Sequence, residues 1–241
     1  MHAAKIDGGG QEGGDGAEVL DANRACTPRR RSRVVHHADA IAWLAARRQM
    51  SGVSVITSLP DRSELPELDL DAWRSWFENA AEWVAHSVAA EGVAIFFQSD
   101  IELGGTWIDK SGLVARGAER AGMQLVFHKI VCRLPAGTAS YGRPSYSHLL
   151  GWARTPLALP TGTPRVDVIP DAGYRPGSKA MGVNACLDAC GFVKAATRTR
   201  TVLDPFCGWG TVLAIANRLD LHAIGVDRSR RMCTRARRLV L

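Results

Sequence analysis

The sequence predicts an α/β protein built on one mostly parallel sheet. From residue 33 onward, short β-branched runs alternate with longer stretches of helical periodicity. This alternation is typical of parallel strands joined by crossover helices. The chain has 241 residues, enough for one sizeable α/β domain and too few for a full second one. We therefore expect a single domain over residues 33–241.

Seven strands and six helices are expected within this domain. The expected strands are Arg33–His36, Val53–Thr57, Val93–Gln98, Gln124–Arg133, Ser147–Ala153, Thr201–Leu203 and His222–Val226. The expected helices are Ala40–Gln49, Asp71–Ala90, Gly112–Ala121, Val183–Ala196, Thr211–Arg218 and Ser229–Leu239. Only a turn region separates the fourth and fifth strands, so they should pair as an antiparallel hairpin beside five parallel strands. Prolines and glycines between residues 155 and 178 predict a loop that crosses the sheet.

The N-terminal residues have a different composition. Residues 1–32 are rich in glycine and mixed charge and end in a run of arginines, so they predict a disordered tail. The chain holds 30 lysines and arginines against 24 aspartates and glutamates, and arginines also crowd residues 228–238. This charge favours a polyanionic partner, although a solvated tail and an exposed basic helix face remain an alternative.

Cysteine usage and hydropathy exclude some classes of protein. The six cysteines form no Cys-x-x-Cys pair, so neither a disulfide framework nor a metal site is expected. No apolar run reaches the roughly 18 residues of a membrane helix, and the N-terminus lacks the apolar core of a signal peptide. We expect a cytoplasmic protein without a membrane partner, with an organelle or the nucleus left open. Nothing in the sequence indicates the oligomeric state.

The most informative segment is Thr-Val-Leu-Asp-Pro-Phe-Cys-Gly-Trp-Gly-Thr, residues 201–211. A short apolar strand ends in Asp204, and Gly208 and Gly210 permit a tight turn and a close approach of a ligand to the backbone. Thr211 then opens a helix. The next strand ends near Asp227, whose carboxylate can accept hydrogen bonds from ribose hydroxyls at the same sheet edge. The pattern predicts a nucleoside-binding site.

This glycine loop differs from two common nucleotide-binding motifs. Leu213 occupies the position of the third glycine of a dinucleotide fingerprint, and the phosphate-binding Gly-Lys-Thr is absent. Instead, residues 204–211 resemble the Asp-Pro-Phe-x-Gly-Ser-Gly-Thr motif of class I methyltransferases that act on nucleic acids, notably the amino-methylating DNA methylases. The resemblance implies a Rossmann-like methyltransferase sheet and S-adenosyl-L-methionine as cofactor. It places Phe206 among the cofactor-binding residues.

A second resemblance lies at the other end of the domain. Residues 34–61 look like the family segment in which Gly-Asp-Ala precedes a strand ending in Thr-Ser-Pro-Pro-Tyr. This segment comes first and the glycine loop last, as in the circularly permuted DNA methylases. The resemblance implies that Asp39 contacts the adenine edge of the cofactor, that Asp204 belongs to the glycine loop, and that Asp227 binds the ribose. Asp39 is also suited to cap the helix that follows.

The family's catalytic segment is altered in this chain. Ser58, Leu59, Pro60 and Asp61 occupy the positions of Ser-Pro-Pro-Tyr. The aromatic residue that stacks on a flipped base is therefore replaced by a carboxylate. We expect Ser58, Pro60 and Asp61 to be catalytic, with Asp61 orienting or deprotonating the acceptor. The alternative role for Asp61 is to cap a turn.

Four further residues are candidates for binding. Arg143 and Tyr146, within Gly-Arg-Pro-Ser-Tyr-Ser-His, suit phosphate and base contacts, although the segment is equally suited to a hairpin turn. Lys179 and Asn184 occupy the family's position for the methionine end of the cofactor, without the His-Pro expected there.

Together these features predict methyl transfer from S-adenosyl-L-methionine to an oxygen or nitrogen of a nucleic acid. RNA is favoured over DNA because the stacking aromatic and a large inserted recognition segment are both missing. Two alternatives remain open. One is methyl transfer to a small molecule or protein; the other is a non-catalytic subunit that binds the cofactor and nucleic acid.

Overall fold

The computed structural model describes residues 31–157 and 166–241 of the protein. The predicted disordered tail lies outside these ranges, apart from its last two residues. Residues 158–165 of the predicted crossing loop lie outside them too.

Ten strands and six α-helices form the described part of the chain. The strands are β1 (Arg33–His37), β2 (Val53–Thr57), β3 (Ala94–Gln98), β4 (Ile101–Leu103), β5 (Thr106–Ile108), β6 (Gln124–Cys132), β7 (Tyr146–Ala153), β8 (Val168–Ile169), β9 (Thr201–Asp204) and β10 (His222–Asp227). The helices are α1 (Ala40–Ala45), α2 (Leu70–Ser87), α3 (Lys110–Arg120), α4 (Val183–Ala196), α5 (Thr211–Arg218) and α6 (Arg230–Arg238). None of the helices in these ranges is both long enough and apolar enough to cross a bilayer.

Eight strands form one sheet in the order β1-β10-β9-β2-β3-β7-β6-β8. Every neighbouring pair is parallel except those of β7, which runs antiparallel to both β3 and β6. The predicted fold class is confirmed, with all seven predicted strands present. The predicted hairpin is confirmed as well, since β6 and β7 pair from Gln124–Ala153 to Cys132–Tyr146.

Three short strands were not predicted. β4 and β5 form a separate two-stranded hairpin of three residues each, and β8 adds two residues to the edge of the large sheet. Segments of two or three residues are too short to show the alternation that identifies a strand. α1 and α2 also end earlier than predicted. The backbone N–H groups of Gln49 and Met50 donate to the carbonyls of His86 and Ser87, so both segments leave the helical path there.

Side chains that accept hydrogen bonds from the first turn define where most of the helices begin. Asp39, Asp69, Asp109 and Ser229 cap α1, α2, α3 and α6 in this way. α5 instead begins after Gly210, whose backbone is in the left-handed region. The sequence therefore signals helix starts well, and α5 starts differently because the preceding loop serves another purpose.

The core lies on both faces of the sheet. α2 and α3 cover one face, where Trp73 and Phe77 are fully buried. α4 and α5 cover the other, where Cys186 and Cys190 lie on the buried side of α4. Neighbouring residues of one strand, such as Val55 and Ile56, enter opposite faces. Burial on both faces explains why the central strands are almost continuously apolar.

The chain connections reverse direction at the centre of the sheet. From β9 the chain passes through α5 to β10, and from β2 it passes through α2 to β3 on the other side. The two helices lie on opposite faces, so a crevice opens between the carboxyl ends of β9 and β2. This crevice is where a ligand site is expected.

Two glycines test the packing of the helices. A Cβ at Gly117 of α3 would overlap the carbonyl oxygen of Glu78 in α2, whereas a Cβ at Gly191 of α4 would meet nothing within 4 Å. We expect Gly117→Ala to lower the free energy of unfolding by about 1–3 kcal/mol through overpacking. Gly191→Ala should raise it by about 0.5–1 kcal/mol through helix propensity. Urea unfolding measures both, and a similar effect of the two substitutions would contradict the close contact of α2 with α3.

Candidate cofactor and active site

The glycine loop lies between β9 and α5 and packs tightly against α6. Gly208 has φ +46° and Gly210 has φ +81°, a region that favours glycine. The N–H of Gly210 donates to the carbonyl of Cys207 at 2.7 Å and closes the turn. A Cβ at Gly210 would lie 2.6 Å from the Cα of Ala236 in α6. Gly210 is thus required both for the turn and for the approach of α6.

Asp204 is a buried carboxylate at the end of β9. Its Oδ1 accepts a hydrogen bond from the Thr57 hydroxyl at 2.7 Å and one from the Phe206 backbone N–H at 3.2 Å. Burial raises the pKa of Asp204 to about 7, the negative charge of Asp227 adds to the rise, and the two hydrogen bonds oppose it. Asp204 therefore links β9 to β2 and titrates close to neutral pH.

Asp227 is held by backbone donors at the end of β10. Its Oδ2 accepts from the N–H of Gly208 at 3.0 Å, and its Oδ1 accepts from the N–H of Ser229 at 2.7 Å. Each carboxylate oxygen keeps a further lone pair. The side chain can therefore accept hydrogen bonds from two neighbouring hydroxyls of a ligand.

A cavity of about 680 Å³ opens at this edge of the sheet. Its volume lies within the range of roughly 300–1,000 Å³ that is usual for small-molecule sites. The structure brings nine of the residues expected at the site to the wall of this cavity: Asp39, Ser58, Pro60, Lys179, Asp204, Phe206, Gly208, Thr211 and Asp227. Apolar walls come from residues such as Trp76, which contacts the ring of Phe206 edge-on at a centroid distance of 6.2 Å.

Two residues of the wall have contrasting hydrogen bonding. Asp39 caps α1, because its Oδ1 accepts from the N–H of Ala42 at 2.9 Å, and it also faces the cavity. The capping and ligand roles expected for it are compatible. The hydroxyl of Thr211 is buried and has no hydrogen-bond partner among the described residues. A buried hydroxyl without a partner is costly, so a polar ligand atom is the natural partner for it.

The altered Ser-Leu-Pro-Asp segment divides between the cavity and the protein interior. Ser58 and Pro60 line the cavity, whereas Asp61 is not among its described lining residues. Asp61 caps the 3-10 turn Arg62–Glu64 in a reciprocal arrangement, its Oδ1 accepting from the N–H of Arg62 at 2.7 Å. It also lies 3.3 Å from the ammonium of Lys110. Its carboxylate therefore belongs to a turn and an ion pair.

Lys110 is a residue of this region that sequence reasoning missed. Its side chain is only 4% exposed, and burial lowers its pKa while the charge of Asp61 opposes that change. The backbone N–H of Lys110 donates to Asp100 Oδ1 at 2.9 Å. A lysine at a helix start gives no sequence signal of burial, so only the packing reveals this link between the ends of β2 and β3.

The remaining predicted binding residues differ in position. Lys179 lies at the cavity and 3.6 Å from Glu64 Oε1. Asn184 lies outside the lining, where its Nδ2 donates to the carbonyl of Asp171 at 3.1 Å. Arg143 and Tyr146 also lie outside the lining, at the β6–β7 end of the sheet. The structure therefore does not bring these last three residues to the cavity.

A polar cluster lies beside the cavity at the ends of β3 and β7. His148 Nε2 is 3.0 Å from Asp100 Oδ2, and its Nδ1 is 2.9 Å from Nε2 of His128. Potential ligand atoms of Asp100, Asp109 and His148 lie within 4.8 Å of one another. We assign no ion to this group, because hydrogen bonds within the protein already satisfy these side chains.

Three arginines on the cavity wall were also missed. Arg228, Arg231 and Arg235 line it beside Asp227, and the guanidinium of Arg235 lies 4.4 Å from the ring centroid of Trp209 in the glycine loop. The sequence indicates an arginine-rich helix here but not its direction. The floor of the cavity is thus acidic and one side of its rim is basic.

Comparison with known proteins yields matches among solved structures alone. No protein-family model matches the chain, and neither does any curated protein sequence. A Thermus thermophilus protein assigned to the DNA modification methylases, complexed with S-adenosyl-L-methionine, matches with a TM-score of 0.64 and 17% identity over 85% of this chain and 91% of its own. The cytosine-N4-specific PvuII DNA methyltransferase matches with a TM-score of 0.68 and 13% identity over 86% of both chains. The M1.HpyAVI complex with S-adenosyl-L-methionine matches with a TM-score of 0.60 and 15% identity, over 85% of this chain and 97% of its own.

The chain has the fold of these DNA methylases. The resemblance that the glycine loop and the permuted order indicate is thereby confirmed at the level of the fold. In this methylase fold the glycine loop follows β9, the strand at the centre of the sheet, although β9 comes late in the chain. The permuted order expected from the sequence is the order observed.

The raised pKa of Asp204 predicts a pH-dependent stability. Because the folded chain holds this proton more tightly than the unfolded chain, the stabilisation is complete below the ordinary pKa of 3.8 and is lost as the pH rises through about 7. Relative to Asp204→Asn, the wild type should therefore lose up to about 4 kcal/mol between these pH values, at about 1.4 kcal/mol per pKa unit. Asparagine can still accept the hydrogen bonds from Thr57 and Phe206.

Urea unfolding of both proteins at several pH values provides the measurement. Asp71→Asn serves as control, because the Asp71 side chain is 92% exposed. A difference between wild type and Asp204→Asn that stays constant with pH would contradict the raised pKa.

Proposed function

We propose that the protein transfers a methyl group from S-adenosyl-L-methionine to a nitrogen or oxygen of a nucleic acid. The observation that carries this proposal is the single cavity shared by the glycine loop, the Thr211 hydroxyl and the backbone-anchored Asp227 carboxylate. The similar structures support it, since two of them were crystallised with this cofactor and all are named as DNA methylases or methyltransferases.

The residues of the cavity fit this cofactor. Asp227 would hold the ribose hydroxyls, and Asp39 would face the adenine edge. Thr211 has an unpaired buried hydroxyl for a polar atom of the ligand. Lys179, which lines the cavity, suits the carboxylate of the methionine end. Asn184, expected to bind the same end, is better placed to support the wall through Asp171.

When bound, S-adenosyl-L-methionine supplies a methyl group on a positively charged sulfur. The reaction requires alignment of the acceptor with that methyl group, so positioning by the cavity walls contributes most of the catalysis. Ser58 and Pro60 line the cavity from the end of β2 and are our candidates for orienting the acceptor. The buried Asp204 and the anchored Asp227 place negative charge at the floor, which favours a cationic ligand.

Asp61 has two possible roles in this reaction. As a base it would take the proton that the acceptor loses. As a positioning residue it would hold the Ser-Leu-Pro-Asp segment through Lys110 and the Arg62–Glu64 turn. Its contacts support the second role, which we propose.

The acceptor is proposed at a coarser level than the sequence predicts. RNA was favoured over DNA because of the missing aromatic residue and inserted segment. The similar structures are named as enzymes of DNA and do not support a preference for RNA. We therefore propose a nucleic acid as acceptor, with DNA first and RNA tested beside it.

Removal of the Asp227 carboxylate should weaken cofactor binding. We expect Asp227→Ala to raise the Kd for S-adenosyl-L-methionine roughly 10–100-fold, because a hydrogen bond to a charged group contributes about 1.5–3 kcal/mol. Isothermal titration calorimetry measures the Kd, and Asp71→Ala is the matched control for the loss of one carboxylate. Circular dichroism establishes that the variant is folded. An unchanged Kd would remove the cofactor from this cavity.

Methyl transfer itself is tested with labelled cofactor and separate pools of DNA, transfer RNA and ribosomal RNA from cells that lack the protein. Label should enter one pool. Asp61→Asn, which can keep the turn, should retain activity within about tenfold if Asp61 positions the loop, whereas a base would lose most of it, since general bases contribute about 10²–10⁴-fold. Asp61→Ala should lower the melting temperature, because Lys110 is left buried without its partner.

The outcomes separate the alternatives. Label in a protein or small-molecule fraction would favour a different acceptor. Cofactor binding without label in any pool would favour the non-catalytic subunit, for which the altered Ser-Leu-Pro-Asp segment already speaks.

A further inference from the structure

All three tyrosines of the chain lie around the end of the β6–β7 hairpin. Tyr146 begins β7 opposite Cys132, the last residue of β6. Tyr141 is 95% exposed in the loop between these strands, and Tyr174 is 67% exposed in the segment before α4. Large exposed aromatic rings are unusual on a protein surface unless they contact a partner.

Backbone hydrogen bonds hold these segments together. The N–H of Arg133 donates to the carbonyl of Ser145 at 2.7 Å, which closes the hairpin loop. The N–H of Ala172 donates to the carbonyl of Cys132 at 3.0 Å, which brings the segment before α4 beside the end of β6. Three arginines therefore meet the tyrosines here. We name Arg133, Tyr141, Arg143, Tyr174 and Arg175 the arginine–tyrosine surface.

The three arginines of this surface lack acidic partners. Within residues 31–157 and 166–241, none of them forms an ion pair. Burial lowers the pKa of Arg133, and the like charges of Arg175 and Arg143 lower it further. Like charges held together cost free energy that an anion with several oxygens would offset.

The arginine–tyrosine surface is continuous with the cavity. From Arg175 the chain passes Gly177, where a Cβ would overlap Nε1 of Trp209 in the glycine loop. It then reaches Lys179 on the cavity wall. The surface also lies at the carboxyl end of β6, which is the same edge of the sheet. An extended strand bound to the surface can thus reach the reacting centre.

We propose that the arginine–tyrosine surface binds an unpaired nucleic-acid strand next to the nucleotide in the cavity. The guanidinium groups bind phosphates, and the rings of Tyr141 and Tyr174 stack on bases. This inference rests on the proposed function and adds to it the state of the acceptor. Stacking needs free base faces, so the site selects single-stranded or locally opened nucleic acid. It supplies the aromatic surface that the Ser-Leu-Pro-Asp segment lacks.

Fluorescence anisotropy with labelled single strands of about 20 nucleotides and the matching duplex tests the proposal, a length that exceeds the roughly 4–16 nucleotides of one single-strand site. We expect the single strand to bind at least tenfold more tightly than the duplex. Arg143→Gln with Arg175→Gln should weaken binding at least tenfold and reduce the slope of log K against log salt by about one to two, since each lost phosphate contact removes nearly one unit. The control, Arg116→Gln with Arg120→Gln, removes the same charge from α3, where both arginines pair with glutamates.

The tyrosines are tested separately. Tyr141→Leu with Tyr174→Leu should weaken single-strand binding at least tenfold, whereas the matched Phe substitutions keep the rings and the affinity. Calorimetry with S-adenosyl-L-methionine should give the wild-type Kd for every variant of this surface.

Each result supports or overturns one proposal. Wild-type binding that the Gln and Leu variants leave unchanged would overturn the surface while the proposed function stands. No wild-type binding to any nucleic acid would overturn the nucleic-acid acceptor itself. Equal affinity for duplex, or competition by polyglutamate as strong as by the single strand, would show a duplex or an acidic protein as the partner and overturn the proposal.

Discussion

The pairing of β9 with β2 on one side and β10 on the other determines the geometry of the site. Thr201 lies opposite both Val53 and His222, so the ends of three strands are brought to one level. Thr57, Asp204 and Asp227 meet there because each ends its own strand. A slip of one residue in either pairing would turn these side chains to the other face of the sheet. The hydrogen bond from Thr57 to Asp204 fixes the register where it matters for the ligand.

Charge is distributed unevenly along the edge that these strands form. Asp204 and Asp227 place two carboxylates at the floor of the cavity, and each raises the cost of ionising the other. Arginines stand on both flanks, on α6 and at the end of the β6–β7 hairpin. A cationic ligand on the floor and a polyanion across the flanks fit this arrangement together. The two ligands expected of a nucleic-acid methyltransferase therefore have complementary places on one edge.

How far the sequence predicts this structure depends on the distance over which each feature is determined. Asp204, Gly210 and Asp227 lie in strands and turns with strong local patterns, and the pattern alone predicts their neighbourhood. The direction of the Asp61 carboxylate depends on Lys110, which follows a hairpin too short to be predicted. Arg133 and Arg175 meet only because Ala172 bonds to Cys132. Such contacts between distant segments leave no periodic signal in the sequence, so they become visible only in the folded chain.

The permuted order also has a consequence for biosynthesis. β1 lies at the sheet edge with β10 as its neighbour, and one side of β2 is covered by β9. Both covering strands lie in residues 201–227, which leave the ribosome after β1, β2, β3, β6 and β7. Until then the nascent chain exposes open strand edges, which are sites of aggregation. A product truncated before β9 is consequently a substrate for chaperones and proteases, and the cofactor pocket forms only when translation is almost complete.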